Sequence, residues 1–136
     1  MNSNKKYNTG LTFGAYDPWH FGHERLLENA KKLCNILIVC VSDKDYIKKY
    51  KNRKEFIPLK KRMKIVSECK YVNIVDKQSL KFGKKEAIVK YKPDVLFVGS
   101  DHRSNYAGVG LGVDVVYLPH TDGISSTMLR EKLHKK

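Results

Sequence analysis

Between residues 14 and 23 the chain reads Gly14-Ala15-Tyr16-Asp17-Pro18-Trp19-His20-Phe21-Gly22-His23, two imidazoles three positions apart behind a glycine and a carboxylate. Where a helix has begun, residues three apart share a face, so both rings can donate to one anion. Gly14 lets the backbone turn sharply, and the amides of such a turn, with a helix N-terminus behind them, cradle phosphate oxygens. The two histidines also fit a surface pair, or two ligands of a metal for which no third ligand can be placed. Ser125 and Ser126 stand before an apolar helical pattern, where their hydroxyls suit both helix capping and a triphosphate held by free amides. The third feature is charge. From Lys44 to Lys64 ten basic residues face two acids, Asp45 and Glu55, a local excess of eight positive charges that asks for an anionic partner.

These groups need a scaffold, and the hydrophobic pattern supplies one. Leu11-Thr12-Phe13 reads as a strand, and Phe21, Leu26, Leu27, Ala30 and Leu33 then recur at helical spacing. The run from Ile36 to Val41 is β-branched and apolar on both faces, the mark of a central parallel strand covered on each side. The basic stretch to Phe56 reads as a loop, Pro58 as the first residue of a helix, residues 72–75 as a third strand and residues 85–91 as a helix ending before Pro93. Residues 95–99 and 113–118 are the last two strands, and a final helix runs from Ser125 or Ser126 through Leu133. This alternation predicts an α/β fold: a five-stranded parallel sheet between two helical layers, with ligands beyond the carboxyl ends of the strands.

At 136 residues the chain is one domain's worth of material, residues 1–136, with no linker or internal repeat. Its 41% apolar and 30% charged residues exclude collagen-like, low-complexity and disordered classes. No apolar run approaches the roughly 20 residues of a membrane span, and Met1 to Lys6 lead into no signal core, so the expected location is cytoplasmic. Cys34, Cys40 and Cys69 are odd in number, lack CxxC spacing and sit among apolar residues, as buried free thiols do. The net charge of +13 admits nucleic acid, an anionic membrane or a phosphate-rich small molecule. No RNP-type aromatic motif, zinc-finger spacing or basic amphipathic heptad supports the first two, which favours the third and predicts no nucleic-acid or membrane partner.

Gly14-x-Tyr16-Asp17-x-x-His20-x-Gly22-His23 resembles the signature of the cytidylyltransferase branch of the HIGH-motif nucleotidylyltransferases. His120-Thr121-Asp122-Gly123-Ile124-Ser125-Ser126-Thr127 is similar to the second signature of that superfamily. In motif order and length the chain is similar to the small bacterial glycerol-3-phosphate cytidylyltransferases. The resemblance implies a Rossmann-like domain, usually a homodimer, that joins CTP and glycerol 3-phosphate into CDP-glycerol and pyrophosphate with Mg²⁺ entering alongside CTP. It makes His20, His23, Lys51 and Arg62 the catalytic residues. It puts Gly14, Ala15, Tyr16, Asp17, Gly22, Asp101, His120, Thr121, Gly123, Ile124, Ser125 and Ser126 against the nucleotide. Lys51 and Arg53 match the family's phosphate-gripping lysine pair, and Arg62 its phosphate-binding arginine.

Two departures stand out. Where the glycerol-3-phosphate enzymes carry an arginine, this chain has His120, whose ordinary pKa of about 6.5 leaves it mostly neutral at pH 7 unless a phosphate holds its proton. Residues 102–112, with Gly108, Gly110 and Gly112, replace an acidic, aromatic loop and read as a flexible flap. The rival class is a basic nucleic-acid-binding domain on the same fold; its binding would fall steeply with salt and ignore mutation of His20 and His23. Among enzymes, the rivals use ATP or another phosphorylated acceptor such as phosphoethanolamine, phosphocholine, a sugar phosphate or pantetheine phosphate.

Overall fold

A computed structural model describes residues 5–99, 112–119 and 125–134. Five strands, β1 (Tyr7–Gly14), β2 (Cys34–Ser42), β3 (Ile74–Gln78), β4 (Val95–Gly99) and β5 (Asp114–Leu118), form one sheet in the order β3-β2-β1-β4-β5. Every neighbouring pair is parallel. The helices are α1 (Phe21–Lys31), α2 (Lys44–Lys51), α3 (Leu59–Ser67), α4 (Lys84–Tyr91) and α5 (Ser126–His134). This is the Rossmann-like α/β architecture that the alternation of elements predicts.

The period of two along the strands divides the core. Leu37, Val39 and Val41 of β2, with Val95 and Phe97 of β4, face Leu27 and Ala30 of α1 and Val66 of α3. Ile38 and Cys40 of β2, Leu11 of β1 and Leu96 of β4 point the other way, onto Ala87 and Ile88 of α4. Both faces of β1, β2 and β4 are thus covered, which accounts for their unbroken apolar runs. The backbone of β1 passes close beneath Phe97: a Cβ on Gly10 would stand 2.3 Å from the Phe97 ring and 3.1 Å from the Cys34 sulfur. Cys34 and Cys40 are buried free thiols, whereas Cys69 is only partly buried. Burial first, and the Asp76 carboxylate second, push the Cys40 thiol up to about 12.

Three of the differences from the sequence expectation have a reason in the packing or the hydrogen bonds. Residues 44–51 form a helix, not a loop, because Asp43 caps it by accepting from the Tyr46 amide and Ile47 anchors it in the interior. Its Lys48, Lys49 and Lys51 occupy the last turn, where the helix dipole favours cations. β3 begins at Ile74 and not at Val72: the Asn73 amide donates to the Leu37 carbonyl at 2.9 Å, but the Leu37 amide is taken by the Asn73 side-chain oxygen at 2.8 Å in place of a main-chain carbonyl. Pro58 stands one residue before α3 as its cap, its carbonyl accepting from the Arg62 amide.

The chain turns from β1 to β2 and β3 on one side and returns to β4 on the other. The sheet order therefore reverses between β1 and β4, and a crevice opens beyond their carboxyl ends.

Candidate active site

A cavity of about 580 Å³ occupies that crevice, within the range of nucleotide and cofactor sites. The loop joining β1 to α1 forms one wall. Gly14 serves it by leaving room: a Cβ there would sit 2.7 Å from the Tyr16 ring, while the left-handed conformation that tightens the turn belongs to Tyr16, at φ 52°. A bulky residue in that region stores on the order of 1–2 kcal/mol, which the burial of Tyr16 against Trp19 and His23 offsets.

His20 is the N-cap of α1 and His23 lies in its first turn, so the pair shares no helical face; their rings stack nonetheless, with centroids 3.7 Å apart. Each spends its Nδ1 on the main chain: that of His20 accepts from the Gly22 amide at 3.0 Å, and that of His23 from the His20 amide at 3.0 Å. In the neutral ring this leaves the proton on Nε2, the nitrogen the cap does not use, so each of these lining imidazoles keeps one donor. Burial, then the charges of His20 and Lys51, lowers the His23 pKa to about 3, and burial lowers that of His20. Both rings are neutral at pH 7.

The opposite wall is α5. Ser125 caps it, accepting from the Met128 amide at 3.1 Å, and the Ser126 hydroxyl donates to the Pro18 carbonyl at 2.9 Å, tying this helix start to the β1–α1 loop. The N-termini of α1 and α5 therefore converge on one space, and each carries the positive end of its helix dipole. Lys51, at the end of α2, and Arg53 just beyond it complete the rim.

Gly14, Ala15, Tyr16, Asp17, His20, Gly22, His23, Lys51, Arg53, Ser125 and Ser126 all line the cavity. Arg62 does not. The residue is 1% exposed and its guanidinium is consumed by the chain: Nε donates to the Ile57 carbonyl, Nη1 to the carbonyls of Ala15 and Ser42, and Nη2 pairs with Glu55 at 2.7 Å. It braces the loop before α3 against the ends of β1 and β2, which corrects the expectation that it touches phosphate. Asp101, His120, Thr121, Gly123 and Ile124, and the flap up to residue 111, lie outside the described residues.

The structure adds residues to the set. Arg130 lines the cavity and donates to the Asp17 carbonyl at 2.6 Å and the Thr127 hydroxyl at 3.1 Å. Its signal was in the sequence: it lies four residues after Ser126, one turn along the same face of the last helix. Thr12, Phe13, Leu26, Gly99 and Thr127 also contribute to the wall. The Thr12 hydroxyl donates to the Phe97 carbonyl and so fastens β1 to β4 beneath the crevice. Among the described residues no group of three or more metal-ligating side chains occurs. The carboxylate in the wall, Asp17, already accepts from three chain donors. These walls donate hydrogen bonds and present cations, the chemistry of a polyphosphate site.

Comparison with known proteins agrees. A family model described as cytidylyltransferase-like matches residues 11–132. Over 123 residues the chain is 33% identical to a glycerol-3-phosphate cytidylyltransferase of Bacillus subtilis, covering 90% of this chain and 95% of that one. Over 114 residues it is 32% identical to an FAD synthase of Pyrococcus abyssi, covering 79% and 77%. Among solved structures, a lipopolysaccharide core biosynthesis protein from Thermoplasma volcanium superposes with a TM-score of 0.72 at 21% identity over 85% of this chain and 99% of that one, a likeness of fold.

Proposed function

The chain belongs to the cytidylyltransferase-like family of nucleotidyltransferases, and from that premise we propose that it transfers CMP from CTP to a small phosphomonoester, glycerol 3-phosphate, releasing pyrophosphate. The observation that carries this reading is the pair of imidazoles in the cavity wall, each accepting with Nδ1 from a cap amide and so keeping Nε2 as its donor, beside Lys51, Arg53 and Arg130. A phosphomonoester is already an anion and needs no activated side chain to attack. One of its oxygens bonds to the α-phosphorus while the bond to the bridging oxygen of the β-phosphate breaks, and pyrophosphate leaves with the electron pair. Catalysis of such a displacement consists of alignment and of donors placed where charge accumulates.

In this mechanism His20 and His23 donate from Nε2 to the α- and β-phosphates, and they need give up no proton. Lys51 and Arg53 hold the phosphates from the α2 side, and Arg130 with the start of α5 holds them from the other. Asp17 is the carboxylate in the described wall, and its oxygens are taken by the chain, so those residues do not fit a protein-held Mg²⁺. A metal would then come with the substrate's polyphosphate, where it would add positive charge to that of the cations. A homodimer and a cytoplasmic location accompany the proposal; among the described residues no helix is long and apolar enough to cross a membrane.

The similarity to an FAD synthase favours one second reading, adenylyl transfer from ATP to a phosphorylated acceptor. Pyrophosphate release separates the two when CTP and ATP are each offered with glycerol 3-phosphate, phosphoethanolamine, phosphocholine and a sugar phosphate. Release only with CTP and glycerol 3-phosphate is the expected result; turnover with ATP alone overturns the cytidylyl assignment.

A further inference from the structure

Asp17 lies on the wall of a cavity built to attract phosphate, where a free carboxylate would repel the ligand. It is not free. Its side chain is fully buried, and both oxygens are taken by one distant segment, the loop between α2 and α3. Oδ2 accepts from Arg53 Nη1 at 2.9 Å and from the Phe56 amide at 2.7 Å, while Oδ1 accepts from the Ile57 amide at 2.7 Å. The main-chain carbonyl of the same residue accepts from Arg130 Nη1 at 2.6 Å, across 113 positions of sequence.

One residue thus touches both sides of the cavity mouth. The α2–α3 loop begins where α2 ends, at Lys51, and reverses through Asn52 in the left-handed conformation at φ 54°. Fixing residues 53, 56 and 57 therefore fixes where Arg53 stands and how the chain runs on from Lys51 at the end of α2. Arg62 clamps the far end of the same loop through Ile57 and Glu55. Arg62 also reaches the β1–α1 turn, donating to the Ala15 carbonyl at 2.9 Å.

We propose that Asp17 is a positioning residue, not a nucleotide contact: its buried carboxylate holds the α2–α3 loop, and its carbonyl holds Arg130, so that one residue sets the spacing of Lys51, Arg53 and Arg130 around the phosphates. This rests on the polyphosphate reading of the cavity. In Asp17→Asn the side chain keeps its shape but must turn its NH₂ toward either the Ile57 amide or the Arg53 and Phe56 donors. One end of the loop is then released, and Arg53 loses its counter-charge.

Two measurements test it. The first needs no catalysis: the nucleotide-free protein is treated with trypsin, and cleavage after Arg53 and Lys54 is timed. Asp17→Asn should speed cleavage about tenfold or more, as a locally opened segment does, while Lys51→Ala should leave it unchanged. The second is a double-mutant cycle on kcat/KM for pyrophosphate release. Lys51→Ala should cost about tenfold in the wild-type background and less than about threefold once Asp17→Asn has already misplaced that lysine. Unchanged cleavage, or costs that simply multiply, overturns the proposal. Should Asp17→Asn fail to fold, Arg53→Gln removes one of the three loop donors at a partly exposed position. It should still speed cleavage after Lys54 and blunt the Lys51 effect, and the opposite results count against Asp17 equally. A wild-type protein that turns over no nucleotide sinks the functional reading, while the cleavage result still decides whether Asp17 holds the loop.

Discussion

His23 lines the cavity and caps α1, its Nδ1 accepting from the His20 amide, so under the proposed function the fold uses one nitrogen and the reaction the other. His23→Ala should therefore lower kcat by about 10²- to 10³-fold, the usual cost of one preorganised donor, and lower stability by only about 1 kcal/mol for the lost cap. Pyrophosphate release and a urea melt on the same preparation check the two figures. The ring also sets a pH dependence. Its folded pKa of about 3 lies below the unfolded value of about 6.5, so the unfolded chain binds the proton more readily. Stability from this group is complete above pH 6.5 and is lost as pH falls toward 3. Urea melts at pH 7.5, 5.5 and 4.5 should show wild type weakening toward acid, with a shallower fall in His23→Ala. Both histidines were legible in the sequence because a short motif carries them. Their stacking was not, since it depends on His20 standing at the cap and outside the helix.

At the scale of elements, what the sequence made legible follows from which contacts are local. β2 and β4 declare themselves as apolar runs because helices cover both their faces. α2 hides, because its exposed surface is lysine and its anchors are Ile47 and the cap of Asp43. Arg62 shows the opposite failing: inside so basic a segment it reads as a phosphate ligand, whereas its partners Ala15, Ser42, Glu55 and Ile57 are gathered by the tertiary fold. The brace makes a test. Arg62→Leu strands Glu55 at a partly buried site and leaves the carbonyls of Ala15, Ser42 and Ile57 without this donor, so it should cost about 3–5 kcal/mol in a urea melt. Lys51→Ala, at an exposed position, should change stability by less than about 0.5 kcal/mol while weakening CTP binding in a titration. A second test concerns the floor of the site: Gly10→Ala forces a methyl group into the Phe97 ring and should cost about 1–3 kcal/mol, read as a lower thermal midpoint.

For the molecule as a whole, the parallel sheet places every strand's carboxyl end on one side, and the reversal of order between β1 and β4 decides where on that side a ligand fits. Into that crevice the chain brings two helix starts, two neutral imidazoles and three cations from segments more than a hundred residues apart. The net charge of +13 is legible from composition, but only the sheet order shows which few of the 27 lysines and arginines gather at the crevice. The central claim is that both imidazoles meet polyphosphate as neutral Nε2 donors. Histidine side-chain ¹⁵N NMR at pH 7, recorded before and after addition of CTP with Mg²⁺, tests it most directly. The account predicts that His20 and His23 carry their proton on Nε2 throughout and that both Nε2 resonances shift when CTP is added; imidazolium rings, an Nδ1-protonated tautomer, or resonances indifferent to CTP would contradict it.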